Sequence, residues 1–461
     1  MGSRRKRRKL ATVHMDQLNF KGVSGLTIDE GKPEQRWMAK GACVGDIVSV
    51  QTSRKGKASL IEVLEPSPNR IEPECPHFLT CGGCQLQHTP LELQREHKEK
   101  MIRRLFADFK GTVHPIVGAE GYHYRNKMEL SFGTRRFYTD PQEASSATDG
   151  SYLGLHPWKW YSKIVPLSEC SLAHPSIDRA IRLLGTLDLF PAWNTYDHTG
   201  VWRHIVLRHG GGLLVNLVTS SEATQAQVQS VCDQLLTLSD IRGILWTIND
   251  GVAEVATGEL KSILYGVDTL ETTLCGKTLE IPYDGFAQVN DEGAELLMQC
   301  IAEATESSTT LFDLYCGSGA IGIALSDNFE SVTGIELQPE AIERAKRNAK
   351  QNNVSGTWIS GKVEDCLPKA IGNENSTILL DPPREGLHPK AATFFAEQKA
   401  QSLVYVACNS KSLARDRAIL EAGCWKMTDL WMVDMFPQTP HVECVGKFIC
   451  VPTDQPSQVA K

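Results

Sequence analysis

Three observations predict a multidomain fold: a small N-terminal β-barrel, a central α+β domain and a C-terminal α/β domain. The chain has 461 residues, and at roughly 100–200 residues per domain it must hold more than one core. Glycine-broken short strands fill residues 10–65, whereas the last third alternates apolar strands with amphipathic helices. Between them the pattern is mixed. An apolar content of 41% beside 22% charged residues excludes wholesale disorder.

In the barrel, Asp46–Val50 alternates apolar and polar, and Ala58–Val63 repeats the pattern after a Lys/Gly turn. Pro66-Ser-Pro-Asn69 closes the unit, so the first domain is read as 10–66. The central domain, 67–284, opens on closely spaced cysteines. A helix follows over 91–109, with Leu93, Ile102, Leu105 and Phe106 apolar among charges, and it is expected to pack on the C-terminal domain. Strands at 205–207 and 213–218 and a helix at 222–236 complete the mixed pattern. The third domain, 285–455, places strands at 310–314, 331–335, 378–380 and 403–407 with helices between them. That is βαβ spacing, which requires a Rossmann-like parallel sheet covered on both faces.

Composition removes several function classes. No run of 18 or more apolar residues lacks a charge, so no membrane-spanning helix is expected. The basic N-terminus is followed by no apolar stretch, which argues against a secretory signal; a cytoplasmic monomer is expected. There are 14 cysteines, yet a chain this long does not need disulfides for its core. Metal ligation or catalysis is the more economical use of some of them. The net charge of −7 argues mildly against nucleic acid, but steering depends on patches. The run Arg4-Arg-Lys-Arg-Arg-Lys9 is either a solvated tail or an arm that touches nucleic acid.

The C-terminal domain carries the chemistry. Asp313-Leu-Tyr-Cys-Gly-Ser-Gly-Ala-Ile-Gly322 follows a strand and opens a helix. Gly317 and Gly319 allow close backbone approach to a ligand, and the helix start offers free N–H groups. Glu336 ends the next strand, near the ~20-residue offset at which an acid binds ribose hydroxyls. The spacing departs from Gly-x-Gly-x-x-Gly, which favours S-adenosylmethionine over a dinucleotide. Leu380-Asp-Pro-Pro-Arg-Glu-Gly386 follows a later strand. Enzymes that methylate exocyclic amines place an aromatic residue where Arg384 stands, so another activation is required. Cys408, directly after the 403–407 strand, supplies one. Carbon 5 of a pyrimidine is too weak a nucleophile unaided, and a thiolate adding to carbon 6 activates it. Glu443 is the candidate base that afterwards removes the carbon 5 proton. The plain alternatives are a buried structural thiol for Cys408 and a surface carboxylate for Glu443.

Cys75-x5-Cys81-x2-Cys84 is the second constellation. A Cys-x2-Cys pair with a third thiol suits sulfur ligation of zinc or of an iron–sulfur cluster. Cys170, the nearest remaining cysteine downstream, would be the fourth ligand.

Taken together, Asp-Leu-Tyr-Cys-Gly-Ser-Gly, Asp-Pro-Pro-Arg, Val-Ala-Cys-Asn-Ser, Asp434-Met-Phe-Pro437 and His441-Val-Glu443 resemble the RNA uracil-5-methyltransferase family. Tyr124-Arg-Asn-Lys127 and Asp284-Gly-Phe-Ala-Gln-Val-Asn290 match it as well. The resemblance covers essentially residues 10–455. It implies that Cys408 is the nucleophile and Glu443 the base, and that the C-terminal domain is an S-adenosylmethionine-dependent methyltransferase domain. It further implies that Gln288, Tyr315, Glu336 and Asp381 contact S-adenosylmethionine along the Gly317/Gly319 loop, with Asp381 also near the uracil. Asp365 is an adenine-side candidate, for which Glu364 beside it could serve. By the same resemblance the barrel is a TRAM domain that binds RNA, and the four cysteines hold a [4Fe-4S] cluster. The combination resembles the branch acting on 23S ribosomal RNA. A transfer RNA target, or a non-catalytic RNA-binding assembly factor, is the alternative.

Overall fold

The computed structural model describes residues 9–29, 34–53, 56–145, 148–158, 160–306, 308–366 and 375–451. Arg4–Arg8 of the basic run lie outside the described residues. The N-terminal unit is a closed barrel of five strands, Leu10–Asn19, Gly22–Thr27, Arg36–Ala39, Ile47–Thr52 and Lys57–Glu65. Period-2 alternation turns Val13, Met15, Val48 and Val50 into a fully buried interior. Closure leaves no free strand edge. At its base the buried Asp46 carboxylate accepts from Arg70 Nη2 (2.6 Å), Cys43 N and Ser67 N (2.9 Å), tying the barrel to the segment that leads to the cysteines.

The central unit is a seven-stranded sheet. Its middle strands Trp202–His209 and Leu213–Thr219 are buried almost throughout, as expected of strands covered on both faces. Helix Gln225–Leu235 packs on it, started by a capping box between Thr224 and Gln227. The helix is shorter than the 222–236 read from the sequence because Thr224 takes the cap position.

Eight strands form the C-terminal sheet. The order is Gly356–Ser360, Phe329–Glu336, Ser308–Leu314, Ser376–Leu380, Ser402–Ala407, Glu443–Cys450, Trp425–Asp434 and Thr112–Gly118. The first five run parallel, and Glu443–Cys450 is antiparallel to both its neighbours. Chain order reverses between Ser308–Leu314 and Ser376–Leu380, and the crevice beyond those carboxyl ends is where such sheets bind ligands. The outer strand Thr112–Gly118 comes from the stretch read as central domain, so this sheet is a composite of two distant parts of the chain. Helix Leu91–Leu105 lies beside it and is capped by Phe106, short of the expected 109. Among the described residues, no helix is long and apolar enough to cross a membrane.

Candidate active site and cysteine pocket

The loop after Ser308–Leu314 is held in an uncommon backbone shape. Tyr315, Gly317 and Gly319 all have positive φ (64°, 54° and 79°), a region that costs a non-glycine residue energy. Tyr315 N and Cys316 N both donate to Ile335 O (2.9 and 3.1 Å), which fixes that shape. A side chain at Gly317 would meet nothing within 4 Å, so the loop faces open space. One at Gly319 would strike the Trp358 ring at 2.8 Å. Glu336 accepts from Gly317 N (3.2 Å) and Gln338 N (3.0 Å) and so lies against the loop. Beneath, the fully buried Asp313 accepts from Gly322 N (2.9 Å). A Cβ at Gly322 would sit 2.7 Å from that carboxylate, which explains the third glycine. Burial, with the Asp381 and Glu336 charges, pushes the Asp313 carboxyl up to about 7. Its role was not read from the sequence, although its fixed offset from the glycines was visible there.

Across the crevice, Asp381 follows Ser376–Leu380, and desolvation pushes it up to about 7 although part of its surface stays open. Cys408 follows Ser402–Ala407 and is exposed. Ala407 pairs with Cys444 on the antiparallel neighbour. Continued by one residue, that register sets Cys408 beside Glu443. Glu443 is only 4% exposed, so it is no surface carboxylate. Burial, then Asp381, pushes it up to about 8, with Arg384 opposing. Burial, then Glu443 and Asp381, pushes the Cys408 thiol up to about 11, again against Arg384. Arg384 was read only as a missing aromatic, whereas its charge reaches both groups. The cleft therefore gathers acids that resist ionisation, opposed only in part by the Arg384 charge. A positively charged ligand relieves that repulsion.

The side chains that brace this edge come from elsewhere. Fully buried Lys98, on helix Leu91–Leu105, pairs with buried Asp434 and donates to Phe436 O (3.1 Å). Gln94 and Gln438 bond reciprocally, Gln438 N to Gln94 Oε1 at 3.0 Å and Gln94 Nε2 to Gln438 Oε1 at 2.8 Å. Tyr124 donates to Pro437 O (3.1 Å). Asn126 donates to Gln288 O (3.1 Å) and Asp291 (2.7 Å), and Asn290 to Met435 O (3.0 Å). These bonds link the half-buried Gln288 and the Asp434–His441 segment to one frame. Asp365 is exposed, while half-buried Glu364 lies close enough to Tyr315 to hinder ionisation of its phenol.

Cys75, Cys81, Cys84 and Cys170 line a single cavity of about 520 Å³, together with Trp158 and Tyr161. Cys170 is brought there from 86 residues beyond Cys84 by the central sheet. Burial pushes the thiols of Cys81, Cys84 and Cys170 up, that of Cys170 to about 11, and each suffers the charge of its neighbours. Gln87 accepts from Cys75 N (3.0 Å). Its Nε2, buried with no hydrogen-bond partner, lies near enough to Cys84 to favour the thiolate. A spare donor beside four convergent sulfurs fits an electron-rich sulfur centre. Among the described residues, no three His, Cys, Asp or Glu side chains come close enough to hold a bare metal ion.

The family described as tRNA (Uracil-5-)-methyltransferase matches residues 371–449, which contain Asp381, Cys408 and Glu443, and the Methyltransferase small domain family matches 286–405. An uncharacterised RNA methyltransferase of Caldanaerobacter subterraneus subsp. tengcongensis is 33% identical over 95% of this chain and 98% of its own length. One from Clostridium acetobutylicum is 35% identical over 88% of this chain and 91% of its own. Among solved structures, the Pyrococcus abyssi tRNA (uracil-54, C5)-methyltransferase in complex with S-adenosyl-L-homocysteine matches with a TM-score of 0.74 and 25% identity. That match covers 95% of this chain and all of that one. With catalytic-domain motifs, whole-chain relatives and overall architecture in agreement, the chain belongs to the RNA (uracil-5-)-methyltransferase family.

Proposed function

We propose that this enzyme moves a methyl group from S-adenosylmethionine to carbon 5 of one uridine in 23S ribosomal RNA, through a covalent adduct on Cys408. The register that sets Cys408 and Glu443 side by side carries the reading. Cys408, once deprotonated, adds to carbon 6, forming an S–C bond and an enolate. Carbon 5 then takes the methyl, and the old methyl–sulfur bond leaves its electrons on S-adenosylhomocysteine. Glu443 removes the carbon 5 proton, the ring double bond reforms and Cys408 departs. Gln288, Tyr315, Glu336 and Asp381 hold the methyl donor, and Asp365 or its half-buried neighbour Glu364 takes the adenine edge. A sulfonium charge bound in this cleft would lower the pKa values of Asp381, Glu443 and Cys408, favouring the ionised forms that the base and the nucleophile need.

Cys75, Cys81, Cys84 and Cys170 hold a [4Fe-4S] cluster. One tetrahedral zinc at about 2.3 Å would draw the sulfurs almost into contact, whereas thiols spread around a cavity suit a larger inorganic core. Such a cluster supplies a staple between two chain segments, since methyl transfer needs no electrons. The barrel joined to a cysteine pocket resembles the branch acting on 23S ribosomal RNA, which favours that substrate, with the enzyme acting as a cytoplasmic monomer. Transfer RNA is the second reading. The archaeal tRNA enzyme matches too much of the chain to omit the barrel. Mass-spectrometric mapping of 5-methyluridine in a deletion strain decides. Loss at one 23S position is expected, loss in tRNA instead selects the second reading, and no loss in any RNA sinks both in favour of a non-catalytic binder.

A further inference from the structure

Seven aromatic side chains are exposed among the described residues, and five of them, Trp158, Trp160, Tyr161, Phe190 and Tyr196, lie between residues 158 and 196. Exposed rings are expensive in water, so their concentration on one domain calls for a ligand with flat faces. Cations sit over several rings of this region. Lys163 Nζ is 5.4 Å from the centre of Trp160 and 5.9 Å from that of Phe137. Arg135 stands 4.5 Å over Tyr196, and Lys40 of the barrel is 5.6 Å from Trp158. Backbone pairing ties the two segments that carry these cations, with Phe137 N donating to Ile164 O (2.7 Å) and Ile164 N to Arg135 O (2.8 Å). Two of the rings, Trp158 and Tyr161, line the cysteine cavity, whose wall also includes Val289, next to Gln288.

From this placement we infer that the central domain carries a stacking platform for a single-stranded stretch of the RNA substrate, centred on Trp158, Trp160 and Tyr161. Unpaired bases stack on aromatic faces while interleaved cations meet the phosphates, a combination that binds single strands with little sequence preference. Double-helical RNA hides its base faces and would leave the rings unused. The inference deepens the reading of this protein as an RNA methyltransferase. It names the part of the substrate that lies outside the catalytic cleft, and it adds a role for the cysteine pocket. A staple between the 75–84 loop and Cys170 would hold the platform's inner edge at a fixed distance from the cleft.

The test uses the full-length protein and an unstructured 20-nucleotide oligoribonucleotide as probe. Wild-type protein should bind it with quenching of tryptophan fluorescence and with affinity falling as salt rises. Trp160→Ala and Tyr161→Ala, both at exposed positions, should each weaken binding roughly 5- to 150-fold, while Trp160→Phe keeps most of it. S-adenosylmethionine affinity should not change. On total RNA from the deletion strain, the alanine variants should raise KM and leave kcat within about threefold. Unchanged oligonucleotide affinity in both alanine variants overturns the platform. Equal binding of a blunt duplex also overturns it, as does loss of affinity only for assembled ribonucleoprotein particles, which would mark a protein-docking face. Binding is read without turnover. If the wild-type enzyme methylates no RNA, the functional reading therefore fails while the platform is still judged by quenching.

Discussion

The methyl-transfer cleft and the cysteine pocket are both collections of reluctant acids, but they are built in opposite ways. In the cleft, Asp313, Asp381, Cys408 and Glu443 stand at the ends of neighbouring strands of one sheet, and one side stays open. In the pocket, four thiols from two segments converge behind protein. A cation entering the cleft can leave again after relieving the repulsion, which turnover demands. A centre bound by the four thiols would instead be held from both segments at once. Similar electrostatic tension would thus serve exchange when mounted on one rigid edge and cross-linking when mounted on two.

The largest effect should fall on the cleft. Cys408→Ala should abolish methylation and any covalent RNA complex. Glu443→Gln should slow turnover about 10²–10⁴-fold while trapping RNA on Cys408, seen as a band that survives denaturing electrophoresis. Inactivity of Glu443→Gln without a trapped adduct would move Glu443 to an earlier step. On the pocket side, Cys84→Ser or Cys170→Ser should strip iron and sulfide from anaerobically purified protein and bleach its brown colour. The melting temperature should drop by about 5 °C or more. Stoichiometric zinc in colourless wild-type protein would break the comparison.

The third effect is smaller. Glu336→Ala should weaken S-adenosylmethionine by about 1.5–3 kcal/mol, read by titration calorimetry. It removes a charged acceptor from the loop as well as from the ligand. The smallest is a pH dependence. Asp313, Asp381 and Glu443 hold protons in the folded, ligand-free state up to about 7, 7 and 8, but release them near 4 when unfolded. At these three sites the folded state therefore binds more protons between those limits, and their contribution to stability falls as pH rises from about 4 to 8. Against them stand buried histidines such as His204, held neutral by desolvation, whose contribution rises up to about pH 6.5. Thermal melts from about pH 6.5 to 8, where the histidines are neutral in both states, should show this decline, and saturating S-adenosylmethionine should flatten it. A decline untouched by S-adenosylmethionine would place the cation elsewhere.

Much of the cleft was legible because strand ends and glycine offsets are local. Asp381, Cys408 and Glu336 each follow or end an apolar run, and parallel pairing brings such ends to one edge. The barrel was legible for the same reason, through alternation and a Pro-rich stop. What escaped depends on distant partners. Nothing local marks Thr112–Gly118 as the outer strand of the C-terminal sheet, and Lys98 reads as one more surface charge on a charged helix. Its burial against Asp434 requires a residue 336 positions away. Arg384 was visible, but its reach to both Cys408 and Glu443 follows from the packing of three strand ends.

That same separation sets a timetable for the molecule as it is made. At about 5–20 residues per second, Lys98 waits roughly 17–67 s for Asp434 to leave the ribosome. Cys170 emerges roughly 4–17 s after Cys84 at the same rates. The four thiols are thus all present well before the cleft's last strands exist. A nascent chain should therefore complete its four-thiol pocket first and assemble its reaction site second, with helix Leu91–Leu105 exposing an unpaired lysine face in the interval.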